Sequence, residues 1–405
     1  YTYWSSPVNN ETIGSVFPDV DGDRRFKFNA ANFVDTNGDN IDDNGDDWQY
    51  ALAGEVIAPG AGYAVTESRF FVGGSGTATF EGAFNTGDIS TSISYDPLNT
   101  NSWNFIGNPY PSAIDFDAFH AANSTVVEGA AYFWSQATAH DRANGGNEES
   151  NFSRNDYATY TVGSGGVAGA SGITPNQYIP SGQGFFIASS STNTVTFTNA
   201  MRMADATSNL LFFKGSKKSK STNSENRLWV NITTENGVFS QILLAYVDNA
   251  TDGDDGLSFD APKLANQDFA AILYSSIDSD NKKYVIQGMN SNSLNEDEVI
   301  KLGFSSTIES NTEYKFSIAQ LEGDFVSNNT VYLIDKLSNT VHNLSDSDYT
   351  FTSEEGEFND RFEIRFNSTA LSTQDIDVNS NTLRIVELEN DNVEFTASNN
   401  IKSIR

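Results

Sequence analysis

The stretch Pro59-Gly-Ala-Gly-Tyr-Ala-Val65 decides the fold of the first half of the chain, because it returns as Ser181-Gly-Gln-Gly-Phe-Phe-Ile187. Each copy places two glycines directly before an apolar run, a pattern typical of a tight turn that leads into a strand. Phosphate-binding glycine loops are instead followed by helices. The recurrence therefore predicts one unit of turn and strand that is used twice.

Two further pairs of segments recur in the same order. They are Tyr3–Pro7 with Phe105–Pro109, and Thr77–Phe80 with Thr194–Phe197. Matches in one order predict an internal duplication, with copies at about residues 1–87 and 103–202. The alternative is that β-rich stretches share such turns by chance. If the duplication holds, Gly62 and Gly184 should occupy equivalent places in equivalent strand orders.

Short runs of alternating apolar and polar residues predict β-structure along the whole chain. Such runs are Thr77–Phe80, Thr194–Phe197, Arg227–Ile232 and Tyr314–Ile318. Clusters of Gly, Asn, Asp and Ser separate them, as in sandwiches and jelly rolls. We predict an all-β fold class, with tandem β-sandwich or jelly-roll-like units followed by a second antiparallel β-sandwich domain. The one plausible helical turn is Ser112–Asn123, which follows a proline.

Polar segments predict the division into domains. Residues 214–225, KGSKKSKSTNSE, are basic, serine-rich and free of apolar residues, which is typical of a linker. Alternating Leu228, Val230 and Ile232 predict that the following domain has its own core. The predicted division is a duplicated β region at 1–205, a linker at 206–226, a β-sandwich at 227–367, a linker at 368–380, and a new pair of strands at 381–405.

Composition excludes several classes of function. The 405 residues carry 54 Asp and Glu against 23 Lys and Arg, a net charge of -31, which repels nucleic acid and anionic membrane surfaces. There is no cysteine, so disulfides, thiol nucleophiles and cysteine metal sites are impossible. The scattered His120, His140 and His342 argue against a histidine metal site. No apolar run approaches the length that spans a membrane, so we expect no membrane insertion.

The acidic stretch Asp35–Trp48, DTNGDNIDDNGDDW, is the candidate metal site. Its oxygens recur at the alternate spacing by which a coiled loop surrounds calcium, an ion that prefers six to eight oxygen ligands. The predicted ligands are the side chains of Asp35, Asn37, Asp39, Asp43 and Asp46 and the backbone carbonyl of Ile41. With aspartate at its last position, the loop is more similar to those of dockerins and thrombospondin type 3 repeats than to an EF-hand. The alternative interpretation is an acidic surface turn without an ion.

Two other acidic groups are weaker candidates. Asp19, Asp21 and Asp23 are predicted to form a second, less complete calcium site or to lend a ligand to the first. Residues 248–255 with Asp260 form another acidic turn, but its oxygens do not keep the alternate spacing. We interpret it as a structural turn, with ion binding as the alternative.

The order of the motifs resembles that of a known family. The motifs are WSSPV, APGAGYAV, IGNPYPSAIDFDAF, YFW, YIPSGQGFFI, TFTNAMR, RLWVNIT, DNATDGDDG and FNDRFEIRF. This order resembles the C-terminal region of large secreted surface proteins of Bacteroidetes that the type IX secretion system exports. Residues 381–405 are similar to the opening strands of the sorting domain, which would need further strands beyond Arg405.

The resemblance implies an extracellular or cell-surface location, with the protein attached to the outer membrane or released. It also implies that the type IX secretion machinery is a partner through the C-terminal segment. It supplies no catalytic residues. Since the chain opens directly in the strand-like segment Tyr1–Trp4, we interpret it as a mature part of a longer protein.

Three functions compete. The first is a non-catalytic, calcium-braced surface or adhesin module that acts in attachment or as a stalk, with a surface polysaccharide or another cell-surface protein as its partner. The second is a carbohydrate-binding accessory region of a secreted polysaccharide-degrading enzyme, for which five Trp and sixteen Tyr offer stacking faces. The third is a glycoside hydrolase that uses two carboxylates, although so acidic a chain forms carboxylate pairs by chance. We expect the first, with Ca²⁺ as the cofactor and no enzymatic activity.

Overall fold

The computed structural model describes most of the chain. The described residues are 1–38, 41–66, 77–99, 102–142, 151–210, 212–213, 225–256, 258–263, 270–278, 282–368, 383–388 and 392–397. Strands dominate, so the predicted all-β fold class is confirmed. The chain forms two compact units, Tyr1–Phe366 and Asn367–Arg405. No helix among the described residues is long and apolar enough to cross a membrane.

The first repeat is a small antiparallel sheet. Its elements are β1 (Thr2–Trp4), α1 (Ile13–Val16), β2 (Arg25–Phe28), β3 (Trp48–Tyr50) and β4 (Tyr63–Val65), and β5 (Ile89–Ile93) follows. The strand order in the sheet is β1-β4-β2-β3. The strands are short, and both faces of the sheet are covered. Tyr63 and Val65 are buried on one face, and Tyr3 and Ala64 are buried on the other.

The second repeat is a five-stranded antiparallel sheet with an added helix. Its elements are β6 (Ser102–Gly107), β7 (Ile114–Asp115), α2 (Phe116–Asn123), β8 (Val127–Trp134), β9 (Tyr157–Thr161), β10 (Gly165–Val167), β11 (Tyr178–Ile179), β12 (Gly184–Ser189) and β13 (Asn193–Phe197). The main sheet has the order β10-β9-β8-β12-β6, while β7 pairs with β11 and β5 pairs with β13.

The second half of the first compact unit is an eleven-stranded sheet. Its elements are β14 (Asn226–Thr233), β15 (Phe239–Val247), β16 (Ala261–Pro262), β17 (Ala271–Ser275), β18 (Tyr284–Asn290), β19 (Val299–Ser306), β20 (Thr312–Glu322), α3 (Asp324–Asn328), β21 (Tyr332–Asp335), β22 (Thr340–Asn343), β23 (Tyr349–Ser353) and β24 (Gly356–Arg365). The order is β22-β21-β24-β19-β17-β18-β15-β14-β20-β23, with β16 paired to β18. All pairs are antiparallel except β15 with β18.

The large sheet curls around its own core. Phe351 near one end of the strand order lies 4.9 Å, ring to ring, from Phe362 of β24 near the other end. The core cluster includes Leu228, Val230 and Ile232, as the alternating pattern predicts. In the second compact unit, β25 (Leu383–Leu388) and β26 (Asn392–Ala397) form an antiparallel hairpin.

The two repeats share one strand order and one register. The order β1-β4-β2-β3 of the first sheet matches β6-β12-β8-β9 of the second. Equivalent paired residues are Trp4↔Tyr63 and Ile106↔Phe185, Tyr3↔Ala64 and Phe105↔Phe186, Phe26↔Ala64 and Tyr132↔Phe186, and Phe28↔Trp48 and Trp134↔Tyr157. Gly62 and Gly184 therefore occupy the equivalent position beside β1 and β6, as a duplication requires.

The repeats also exchange equivalent contacts through their Gly-x-Gly turns, Gly60–Gly62 and Gly182–Gly184. The N–H of Ser5, after β1, donates to Gly182 O at 2.7 Å, and the N–H of the equivalent Gly107, in β6, donates to Gly60 O at 3.0 Å. The bridges Trp4↔Gln183 and Ala61↔Ile106 repeat the same exchange. The two repeats thus meet about a local pseudo-two-fold axis.

Two sequence predictions of secondary structure need correction. Thr77–Phe80 lies outside any strand, although its counterpart Thr194–Phe197 lies within β13. The helix predicted at Ser112–Asn123 begins only at Phe116, because Ile114–Asp115 pairs with β11. The Asp115 carboxylate then caps the helix by accepting the N–H of Asp117 at 2.9 Å.

A shared core joins the repeats to the large sheet. Tyr3, Trp134 and Phe186 belong to the same buried cluster as Trp229 and Leu243 of the large sheet. Trp229 Nε1 donates to Gly166 O at 2.7 Å across this junction. The repeats and the large sheet therefore pack directly against each other through a common hydrophobic cluster.

The predicted domain boundaries stay predictions. Residues 214–224 of the linker predicted at 206–226 lie outside the described residues, as does most of the linker at 368–380. Phe213, which belongs to the linker predicted at 206–226, is buried, and its ring lies 4.9 Å from that of Phe133. The structure therefore places the end of the second repeat's core close to residue 213.

Candidate metal centre

The acidic loop, residues 29–47, connects β2 to β3 of the first repeat. Its base is closed by the Asn29 N–H, which donates to Asp47 O at 2.7 Å. The connection between β8 and β9, residues 135–156, occupies the equivalent place in the second repeat. The sequence therefore extends both repeats at the same position, and only the first extension carries the calcium spacing.

Asp35, the first predicted ligand, is anchored to the body of the repeat region. It is buried, and its N–H donates to Asn99 Oδ1 at 2.8 Å. Asn99 Nδ2 in turn donates to Phe33 O at 2.9 Å, so one amide side chain holds both ends of this segment. The Asp35 carboxylate accepts the Gly38 N–H at 2.8 Å, and Gly38 adopts a φ of 79° that favours glycine. The start of the loop is therefore fixed.

Asn37 and Asp43 converge, although they are six residues apart. Asn37 Nδ2 donates to Asp43 Oδ1 at 3.1 Å, while the Thr36 hydroxyl and N–H donate to Asp43 Oδ2 at 2.6 and 2.9 Å. The Thr36 hydroxyl is the main cause that lowers the pKa of Asp43, followed by the Thr36 N–H. Asp43 thus favours its ionised form, which is the form that binds a cation.

Two buried carboxylates in the loop were not among the predicted ligands. Asp42 accepts the N–H groups of Val34 at 2.8 Å and Asp46 at 2.9 Å. Its carboxylate therefore connects the two sides of the loop. Asp47 is also buried, and burial, followed by the charge of Asp42, raises its pKa to about 6. Their positions beside the apolar Ile41 and Trp48 are the sequence signal that could have identified them.

The remaining predicted ligands are only partly placed. Asp46 is exposed, its carbonyl oxygen accepts Asn32 Nδ2 at 3.2 Å, and Ile41 lies in the same loop. Asp39 and Asn40 lie outside the described residues. Among the residues that are described, no three carboxylate or imidazole side chains converge closely enough to hold a metal ion. The calcium site stays a prediction.

The group Asp19, Asp21 and Asp23 lies before β2, whereas the acidic loop follows it. Asp21 begins the short 3₁₀ turn Gly22–Arg24, whose last N–H donates to Asp21 O at 3.0 Å. β2 has four residues, which span roughly 13 Å. The hairpin therefore places this group and the acidic loop at opposite ends of β2.

The equivalent connection in the second repeat also buries a carboxylate. Asp156 precedes Tyr157 as Asp47 precedes Trp48, and the register of the two sheets makes these positions equivalent. Asp156 accepts the Thr138 hydroxyl at 2.8 Å and the Ala137 N–H at 3.1 Å. Burial raises its pKa. A buried aspartate before the third strand is thus common to both repeats.

In the second acidic turn, residues 248–260, several carboxylates accept hydrogen bonds from neighbouring parts of the protein. Asp248 accepts the Ser291 hydroxyl at 2.6 Å, and Asp252 accepts the Asn290 N–H at 3.1 Å. Asp260 accepts the N–H groups of Gly288 and Asp255, both at 2.9 Å. These contacts favour the interpretation as a structural turn.

Comparison with known proteins gives a match to one family model. The model described as Domain of unknown function (DUF8693) matches residues 1–366. No curated protein and no solved structure matches the chain.

Proposed function

The chain belongs to the DUF8693 family, and from its acidic loop we propose that it is a non-catalytic, calcium-braced surface or adhesin module of a larger secreted protein. In this role it mediates attachment or acts as a structural stalk. The matched region ends at Phe366, where the first compact unit also ends. The family match thus covers both repeats and the large sheet.

The acidic loop is the observation that carries the proposal. Asn37 and Asp43 are already in contact, and Asp42 and Asp47 place two carboxylates in the base of the same loop. These like charges repel one another in a protein of net charge -31. A bound Ca²⁺ would offset the repulsion and hold the loop against Asn99.

The location and partners rest on the resemblance to secreted Bacteroidetes surface proteins. Calcium sites of extracellular modules work at dissociation constants of about 0.1–1 mM, so a modest site is useful outside the cell. We propose that residues 381–405 engage the type IX secretion machinery and that the exposed loops contact a surface polysaccharide or another cell-surface protein.

The tryptophans favour this proposal over sugar stacking. Trp103, Trp134 and Trp229 are buried. Trp4 and Trp48 are partly buried within aromatic clusters, in which the ring of Trp4 lies 5.0 Å from that of Phe212. The large indole faces therefore pack inside the protein, and carbohydrate binding by stacking remains the second candidate.

Thermal melting with calcium and with chelator tests the proposal. Binding to the folded state alone stabilises it by about 2.7 kcal/mol when calcium is a hundredfold above its dissociation constant. We expect calcium to raise the melting temperature of the parent protein, and Asp39→Ala to lose most of this response.

Asp346→Ala is the matched control, because it removes one exposed carboxylate from a distant turn of the large sheet. It should keep the full calcium response. A parent protein whose melting ignores chelation, or an Asp39→Ala variant that responds fully, would contradict the calcium brace. Labelling of intact cells and a glycan array on the same protein then separate surface attachment from recognition of a discrete polysaccharide.

A further inference from the structure

A small pocket lies at the junction between the second repeat and the large sheet. The space between its walls is about 370 Å³, a volume that includes open solvent, and its enclosed part admits only a group of about the size of a water molecule. Arg154, Asn155 and Thr159 line it from the repeat, while Ser240 and Lys263 line it from the sheet. The pocket is thus polar, narrow and built from both halves.

Lys263 places a desolvated amino group in this pocket. Its Nζ donates to Ser240 Oγ at 3.2 Å, and the same oxygen accepts the Leu273 N–H at 3.1 Å. The residue as a whole is partly exposed, but its amino group is enclosed, and this burial lowers the pKa of Lys263 to about 8. In the described part of the chain, no carboxylate forms an ion pair with Lys263.

The charges around the pocket contrast with those of the whole protein. The net charge is -31, yet the charged residues that line the pocket, Lys263 and Arg154, are both cationic. Buried ammonium groups ordinarily have an anionic partner, because desolvation without one is costly. A ligand oxyanion would supply that partner through charge-assisted hydrogen bonds, which are shorter and stronger than neutral ones.

We propose that this pocket binds one oxyanion group, a carboxylate or a sulfate. Lys263 supplies the central charge, Arg154 supplies a second cation at the rim, and Asn155 and Thr159 offer hydrogen-bonding side chains. The enclosed part of the pocket admits one oxygen atom of such a group, and the rest of the ligand lies toward the open mouth. Two sources carry this chemistry, namely a free inorganic ion and the acidic substituent of a sugar.

Calorimetric titration of the whole protein, with chelator present and ionic strength held constant, tests the site. The probes are sodium sulfate, sodium glucuronate and, as reference, sodium chloride. We expect sulfate or glucuronate to bind the parent protein and to bind Lys263→Met at least about tenfold more weakly. Preference for glucuronate identifies the acidic substituent of a sugar as the source, and preference for sulfate identifies a free inorganic ion.

Lys315→Met is the control, because Lys315 pairs with Asp348 at 3.1 Å on an exposed part of the large sheet. It should bind the probes like the parent protein. Equal binding by Lys263→Met, or no binding of either oxyanion to the parent, overturns the proposal. Because chelator is present throughout, the outcome does not depend on the calcium brace.

A second measurement covers the case in which Lys263→Met does not fold. Lysine side chains labelled by ¹³C reductive methylation report their own titration by NMR, and Lys263→Arg identifies the resonance. Oxyanion binding should raise the pKa of Lys263, whose titratable and charged neighbours in the pocket are Arg154 and Tyr157. An unchanged titration midpoint in saturating sulfate and glucuronate contradicts the site.

Discussion

Several carboxylates of this acidic protein are buried in places where backbone N–H groups replace water. Asp260 accepts two N–H groups, Asp42 accepts two, and Asp156 accepts two N–H groups and one hydroxyl. Burial raises the pKa of Asp260 to about 7, although these bonds act in the opposite direction. The protein thus tolerates carboxylates that protonate close to neutral pH.

Asp260 predicts an unusual pH dependence of stability. Because its folded pKa of about 7 lies above the ordinary value of 3.8, the folded state binds the proton more tightly between these values. The contribution of Asp260 to the free energy of unfolding therefore falls as pH rises through this window, by at most about 1.4 kcal/mol per pH unit. Urea unfolding at pH 5 and pH 7.5 measures this effect.

Asp260→Asn is the informative variant, since its amide cannot titrate. It should be less stable than the parent at both pH values, because its NH₂ faces an N–H donor. The difference between variant and parent should shrink as pH rises from 5 to 7.5. A difference that stays constant would show that Asp260 does not titrate in this range.

The spacing of the acidic loop indicated which residues share a loop, but it could not indicate which of them are buried. Asn37 and Asp43 were predicted as ligands of one calcium ion. They are in contact through Asn37 Nδ2, and the shared ion stays a prediction. Asp42 and Asp47 were missed because the spacing of oxygens does not report burial, for which only the adjacent apolar residues gave a signal. The contacts of Asn99 with Phe33 and Asp35, which anchor the loop, are also invisible in the spacing. Local spacing contains no information about residue 99.

At the scale of elements, glycine permits the close approach of the two repeats. A Cβ atom added to Gly62 would lie 2.4 Å from a ring carbon of Phe105. That ring cannot move aside, because it stacks on Phe186 at 4.6 Å and contacts Tyr3 at 4.6 Å. The second glycine of each Gly-x-Gly turn therefore serves packing between repeats.

Gly62→Ala is expected to lower the free energy of unfolding by about 1–3 kcal/mol, as overpacked cores do. Gly54→Ala is the matched control, since nothing lies within 4 Å of its added Cβ. Urea unfolding of the two variants beside the parent measures the difference. Equal stability of Gly62→Ala and Gly54→Ala would mean that the interface relaxes around the methyl group.

Strand prediction succeeded where a partner strand exists and failed where none does. Arg227–Ile232 and Tyr314–Ile318 lie within β14 and β20, which pair with each other. Thr77–Phe80 has the same alternation but forms no strand. Alternation specifies which face a strand would bury, and pairing decides whether the strand forms.

At the scale of the whole molecule, the shared core makes the two halves interdependent. The large sheet has its own core, as predicted, but its outer face contributes Leu243 and Ala245 to a cluster with the repeats. Arg227 Nε donates to Ser164 O at 2.6 Å across the same junction. The sequence could indicate a hydrophobic core in each half. It could not show that residues from both halves form a third core between them.

Limited proteolysis tests this interdependence. Cleavage between Lys214 and Glu225 should leave both halves folded, and the fragments should elute together in size-exclusion chromatography because the third cluster still joins them. Denaturant should separate them. Fragments that separate in native buffer would contradict the shared core, and cleavage scattered through residues 227–366 would contradict the separate core of the large sheet.

The exchange between the Gly-x-Gly turns is self-complementary, as contacts in two-fold homodimers are. Ser5 and Gly107 each donate to the turn of the other repeat, and so would two identical polypeptides. Duplication and fusion of the gene of a homodimer would produce an arrangement of this kind. In a fused chain the two copies are free to differ, as they do here: the connection in the first repeat carries carboxylates, and the one in the second carries a glycine- and asparagine-rich segment.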